Sequence, residues 1–159
     1  MTFKDAIDQT PYLKGQWQPG LGALRSQDRN HIQPETPRKL TGSVDIDNAL
    51  KSLKAHAQAN RWDFAIGFKH DNRTNELIYW VETHSGSDNQ IRVMLAKLEW
   101  LKNWLKSEGK LLAQFECDFV WVPSGRTRFT QGSQQVRVLA QKGLIYAGSG
   151  LKIPDSYPA

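Results

Sequence analysis

Residues 61–84 read RWDFAIGFKHDNRTNELIYWVETH, and the way this stretch pairs with itself decides the fold. From Arg61 to Lys69 the residues alternate. Trp62, Phe64, Ile66 and Phe68 fall on one face, and Asp63, Ala65, Gly67 and Lys69 on the other. A period of two marks a strand. His70–Asn75 is polar turn chemistry, and Glu76–His84, rich in Ile, Tyr, Trp and Val, reads as a second strand. The two are expected to form an antiparallel hairpin. A turn centred between Asn72 and Arg73 sets Asp63 opposite Glu82; one centred a residue further along sets it opposite His84. Both registers gather Asp63, Glu82 and His84 on one face, with small Ala65 and Gly67 against bulky Trp80 and Ile78. A one-residue slip would carry Asp63 to the other face.

Outward from the hairpin, the chain alternates between helical and extended patterns. Upstream, Ser43–Asp47 reads as a short strand or the lead-in to a helix. Asp47 is placed to cap a helix over Asn48–Gln58, where Ala49, Leu50, Leu53 and Ala57 recur at helical spacing. Downstream, Asn89–Ser107 carries the stripe Ile91, Met94, Leu95, Leu98, Leu101 and Leu105, and Gly109 ends it. Phe115–Val122 is an apolar strand, Ser133–Lys142 a helix, and Leu144–Ile153 a last strand or extended segment. Residues 1–40, broken by four prolines, read as an irregular arm packed on the core, with a short helix near Leu21–Ile32. Residues 41–159 are then a single α/β domain. Its mixed β-sheet has about four to five strands flanked by helices.

Composition narrows the function classes. Hydrophobic residues at 39% and charged residues at 23% suffice for a packed core. Neither a signal-peptide apolar region nor a membrane-spanning run of about 18 apolar residues occurs, so no membrane role is expected. The lone cysteine, Cys117, fits a reducing, cytoplasmic setting. With 21 Lys+Arg against 16 Asp+Glu, the net charge of +5 leans towards nucleic acid as partner. Arg126, Arg128 and Lys142, with Lys152 nearby in sequence and Phe129 and Tyr146 interleaved, are the candidate phosphate contacts; a solvated basic loop is the plainer reading. The histidines show no zinc spacing, Gly148-Ser149-Gly150 completes no dinucleotide-binding fingerprint and reads as a turn, and no Gly-x-Ser-x-Gly elbow exists.

Two acids and an imidazole converging beside a core need a reason, because neighbouring carboxylates raise each other's pKa. A divalent cation removes that penalty, and Mg²⁺ is commonly held by one or two carboxylates plus water and substrate phosphate. Val93, Lys97, Trp100 and Trp104 form a second stripe on the long helix, so Lys97 either snorkels or reaches an anionic partner. Asp45 is a possible further acid.

Strand, turn, strand, helix, strand, with Asp63 on the first strand and Glu82-Thr83-His84 on the second, resembles the PD-(D/E)XK nucleases of the restriction-endonuclease-like fold over roughly residues 45–122. The resemblance implies metal-dependent phosphodiester hydrolysis of DNA or RNA. Asp63 and Glu82, with the Thr83 carbonyl, would hold Mg²⁺ or Mn²⁺. His84 stands where the family has lysine. Lys97 corresponds to the lysine that some members carry on the following helix. Pairing into a homodimer is a further analogy. The alternatives are a non-catalytic domain of the same fold that binds nucleic acid or a protein partner, and an assembly factor whose charge is incidental. Residue by residue, the plainer readings are that Asp63 only pairs with Arg61 or Lys69 or caps the strand end, that Glu82 and His84 form a hydrogen-bonded pair on a solvated strand end, and that Lys97 lies over Trp100.

Overall fold

The computed structural model describes residues 1–85, 90–125, 129–130 and 132–158, and is an α/β structure. Its centre is a five-stranded mixed sheet ordered β2-β3-β4-β5-β6. The strands are β2 (Leu40–Asp45), β3 (Phe64–Phe68), β4 (Leu77–Ser85), β5 (Cys117–Ser124) and β6 (Leu144–Tyr146). The first three run antiparallel. Helix α4 (Ile91–Lys106) then crosses over so that β5 lies parallel to β4, and α5 (Gln134–Gln141) does the same for β6. A parallel neighbour requires such a crossover. Gly109 closes α4: its N–H returns to the Trp104 carbonyl at 2.8 Å.

The hairpin register is the first of the two expected. Phe64 faces Val81, Ala65 faces Trp80 and Gly67 faces Ile78. Helix α1 (Phe3–Gln9) takes advantage of the missing side chain at Gly67, where a Cβ would lie 2.8 Å from Cδ2 of Phe3 and 2.4 Å from Oγ1 of Thr41.

The sheet separates two apolar clusters. One gathers Ala65, Ile78, Trp80 and Trp121 with α1 and α4; the other gathers Phe64, Ile66, Phe68, Tyr79, Val81 and Val120. Trp62 breaks the expected alternation. It precedes the strand, leaves its pleat, and is buried in the first cluster, away from Phe64, Ile66 and Phe68.

Several boundaries differ from the sequence reading. The arm is more regular than its prolines suggest. Thr2 caps α1, which buries Phe3, Ala6 and Ile7, an apolar stripe too short to stand out. The helix expected near Leu21–Ile32 shrinks to α2 (Ser26–Arg29). Ile32 instead opens β1 (Ile32–Pro34), which pairs in parallel with β7 (Leu151–Ile153) in a separate two-stranded sheet. The final extended segment is therefore two strands, divided at Gly148 and Gly150, both at positive φ. The helix expected over Asn48–Gln58 is only α3 (Ile46–Leu50), followed by turns. Arg61 donates to the His56 and Ala57 carbonyls at 2.7 and 3.0 Å and so supports the turns. Asp45, not Asp47, caps α3 by accepting from the Asn48 N–H at 2.8 Å. Asp47 instead takes Arg61 Nε at 2.8 Å. Among the described residues no helix is long and apolar enough to cross a membrane.

Candidate active site

The antiparallel ladder of β3 and β4 stops at Phe64 and Val81, and side chains take over its next rung. Asp63, one residue before β3, donates its N–H to Glu82 Oε1 at 3.0 Å. In return, Asp63 Oδ2 accepts from the Thr83 N–H at 3.0 Å and the Thr83 hydroxyl at 3.1 Å. The Asp63 carbonyl takes the Ile46 N–H at 2.9 Å, which ties this corner to the start of α3. Backbone groups that would lose their strand partners are thereby satisfied by the two acids.

Glu82 lies on the α4 side of the sheet with 1% of its surface exposed. Burial, and then the charge of Asp63, drive its carboxyl pKa well above the usual glutamate range. Lys97 offsets part of this, with Nζ 3.3 Å from Glu82 Oε2. The same ammonium donates to the Arg61 carbonyl at 3.0 Å, so the lysine is held and directed inward. His84 Nδ1 stands 4.0 Å from Glu82 Oε2, and its Nε2 meets the Gln90 side chain. The His84 carbonyl accepts from Trp121 Nε1 at 3.1 Å.

Asp63, Glu82, Thr83, His84 and Lys97 are thus brought together. Asp63 pairs with neither Arg61 nor Lys69, which bond Asp47 and turn carbonyls, but it does cap the strand end, as its plainer reading expects, by accepting from Thr83. Burial raises the pKa of Asp45, and the charges of Asp47 and Asp63 add to this, so Asp45 lies within electrostatic reach of the pair. The basic candidates fall elsewhere. Arg126 and Arg128 lie outside the described residues. Lys142 is exposed at the end of α5, in a groove of about 410 Å³ between α4 and α5 that the acids do not line.

Sequence reasoning missed Arg25 and Asp28. Arg25 approaches from the opposite face of the sheet to Lys97, with Nε 2.8 Å from Asp28 Oδ2 and Nη2 donating to Thr83 Oγ1 at 3.3 Å. The only signal was an Arg/Asp pair three apart inside an arm with no strong periodicity.

Burial and the neighbouring Asp63 disfavour the ionised form of Glu82, and Lys97 offsets only part of this. A divalent cation can take the place of the Glu82 proton. The donor set therefore fits a hard cation with few protein ligands. No group of three or more His, Cys, Asp or Glu side chains that could hold a metal ion is found among the described residues.

Fold and site together define an α/β protein with an acid pair at the open end of a central hairpin, flanked by a lysine and an arginine. Comparison with known proteins finds no matching family model, no significantly similar curated protein and no significantly similar solved structure.

Proposed function

We propose that this protein is a divalent-metal-dependent nuclease that hydrolyses phosphodiester bonds of DNA or RNA in the cytoplasm. The observation that carries the reading is the buried Glu82, pressed against Asp63 and met by Lys97 at 3.3 Å, at the end of a sheet. A buried acid pushed out of its ordinary range, with a specific charge partner beside it, favours a functional site over a structural one. The strand–turn–strand–helix–strand order around them agrees with the PD-(D/E)XK resemblance.

Asp63, Glu82 and the Thr83 carbonyl would hold Mg²⁺ or Mn²⁺. Bound there, the ion would lower the pKa of a water and neutralise charge on the phosphodiester. Lys97 supplies a fixed positive charge beside Glu82, keeping that acid ionisable and orienting the attacking water. His84 is too far from Glu82 to share its proton directly and has its other nitrogen on Gln90, so Lys97 fills the family's lysine role. The surplus of basic residues adds salt-sensitive backbone affinity.

The test is cleavage of labelled DNA and RNA in Mn²⁺ and Mg²⁺ by the wild type, Glu82→Gln and Lys97→Met, with folding checked by circular dichroism. Cleavage by the wild type, and its loss in folded variants, is the expected result. Unchanged cleavage in Glu82→Gln would discard the assignment.

One observation favours a second reading, a non-catalytic domain that binds nucleic acid or a protein partner, including a second copy. Glu82 Oε1, Glu82 Oε2 and Asp63 Oδ2 already face donors from the protein itself. That reading expects oligonucleotide binding or oligomerisation without Mn²⁺ affinity, separable by calorimetry.

A further inference from the structure

We infer that Arg25 and Thr83 form an anion subsite on the face of the sheet opposite Lys97, and that its ligand is a phosphate group of a nucleic-acid backbone. The inference rests on the hydrolytic reading above.

Arg25 is anchored yet open. Its side chain is 58% exposed, while the Asp28 carboxylate that fixes its Nε is only 6% exposed. A pair built only to neutralise Asp28 would need nothing beyond that contact. Here Nη2 is also set on the Thr83 hydroxyl at 3.3 Å, and the guanidinium carbon lies 6.0 Å from the Phe64 ring. These contacts fix the plane of the fork. Guanidinium has five N–H donors, and Nη1 has no partner among the described residues. A planar, pre-oriented fork with donors facing solvent is suited to bidentate recognition of a phosphate.

Its place relative to the acids selects the ligand. The Thr83 hydroxyl accepts from Arg25 and donates to Asp63 Oδ2 at 3.1 Å, so fork and acid pair are joined through one oxygen. An anion seated on Arg25 would lie beside Asp63 and bring its own negative charge to a negative site. Only a ligand that also profits from a cation at the acid pair gains by binding there, and a phosphodiester meets that condition. Asp28 first, and at longer range Asp63 and Asp45, raise the pKa of Arg25, so the guanidinium stays charged at this corner.

The test has two arms. In the first, ¹⁵N-labelled wild type is titrated with inorganic phosphate and with a short oligonucleotide, and the Arg25 Nε resonance is followed. In the second, oligonucleotide binding in Ca²⁺ is measured by anisotropy at two salt concentrations for the wild type and for Arg25→Gln combined with Asp28→Asn, a pair that keeps a neutral hydrogen bond. The expected results are a saturable Arg25 shift, about tenfold weaker binding in the double variant with a salt slope smaller by about one counterion, and Mn²⁺ affinity within about twofold of the wild type. Should the double variant fail to fold, Arg25→Lys, which keeps the charge and loses the fork, is expected to weaken binding about threefold.

Unchanged affinity and salt slope in a folded variant, or no Arg25 shift with either ligand, overturns the subsite. An acidic peptide binding more tightly than the oligonucleotide overturns the choice of ligand. A wild type that takes no Mn²⁺ and cleaves nothing, while its Arg25 signal still saturates, overturns the hydrolytic reading and leaves the anion subsite in place.

Discussion

At the turn end of the β3–β4 hairpin, Lys39 holds Asp71 and Asp155 at 3.0 and 3.2 Å, and Arg73 holds Glu116 at 2.9 Å. At the open end, Glu82 is pressed against Asp63. The turn end is also clasped by the C-terminal tail. Asn72 and Tyr157 exchange two hydrogen bonds at 2.9 and 2.8 Å, and the Tyr157 hydroxyl donates to Asp118 at 2.8 Å. Buried His70 bonds the Tyr79 hydroxyl at 2.8 Å, and burial lowers its pKa, so it sits neutral. One end pairs opposite charges and stacks rings; the other buries a glutamate beside an aspartate, with Lys97 at 3.3 Å offsetting only part of the cost. At the turn end the polar groups satisfy one another near the surface, whereas at the open end Glu82 is held where its charge is disfavoured although its oxygens have donors.

The largest expected effect breaks the comparison at the open end. Glu82→Gln removes the buried charge and keeps the acceptor for the Asp63 N–H. Cleavage should fall by about a hundredfold, while the melting temperature should drop only modestly, because Lys97 loses its charge partner but keeps the Arg61 carbonyl and the amide still accepts from the Asp63 N–H. A matching loss of stability would make Glu82 a structural acid.

Next in size is the clasp. Tyr157→Ala removes the ring contacts to His70 and Arg73 and the hydrogen bond to Asp118. It should cost about 2 kcal/mol in denaturant unfolding. Mn²⁺ affinity, read by calorimetry, should be unchanged.

The two ends should also respond to pH with opposite sign. His70 titrates below its ordinary value of 6.5 in the folded state, so the unfolded chain binds more protons there and stability falls as pH drops below 6.5. Glu82 titrates above its ordinary 4.5, so the folded chain binds more protons, and its stability contribution falls as pH rises from 4.5 through the raised value. Melting curves across pH should show the acid-side loss flattened by His70→Gln and the alkaline-side loss flattened by Glu82→Gln. Mn²⁺ affinity should rise over the Glu82 window, since the ion displaces its proton. A pH-independent affinity would break the proposed exchange.

The smallest effect expected is at the Arg73–Glu116 pair, where the side chains are 31% and 47% exposed. Glu116→Gln, which leaves Arg73 on the Tyr157 ring, should change stability by about 0.5 kcal/mol or less in the same denaturant assay, because exposed pairs gain little over water. A larger loss would show that the turn end depends on charge more than on the tail's packing.

The hairpin and its faces were legible because period two fixes which residues share a side; the sequence left two registers open, and the observed one sets Gly67 and Ala65 opposite Ile78 and Trp80. The convergence of Asp63 with Glu82 followed from those faces. The long helix was legible from its stripe, and Lys97 from its place among apolar neighbours. Trp62 was misassigned because periodicity does not say where a strand starts. The helix expected over Asn48–Gln58 fell short because Arg61, distant in neither sequence nor space, supports turns instead. Arg25 was invisible for a different reason. Its role depends on a contact with Thr83, 58 residues away, and no local pattern encodes such a pairing.

The parallel union of β1 with β7 joins Ile32 to Leu151 and so spans most of the chain. Contacts of such wide separation close large loops and tend to form late. The hairpin that carries the acids needs only its own turn. Folding should therefore assemble the acid pair early and fasten the arm bearing Arg25 near the end. On the proposed reading, a half-refolded chain would have its acids in place and lack the Arg25 fork, so any appetite for nucleic acid would arrive with completion.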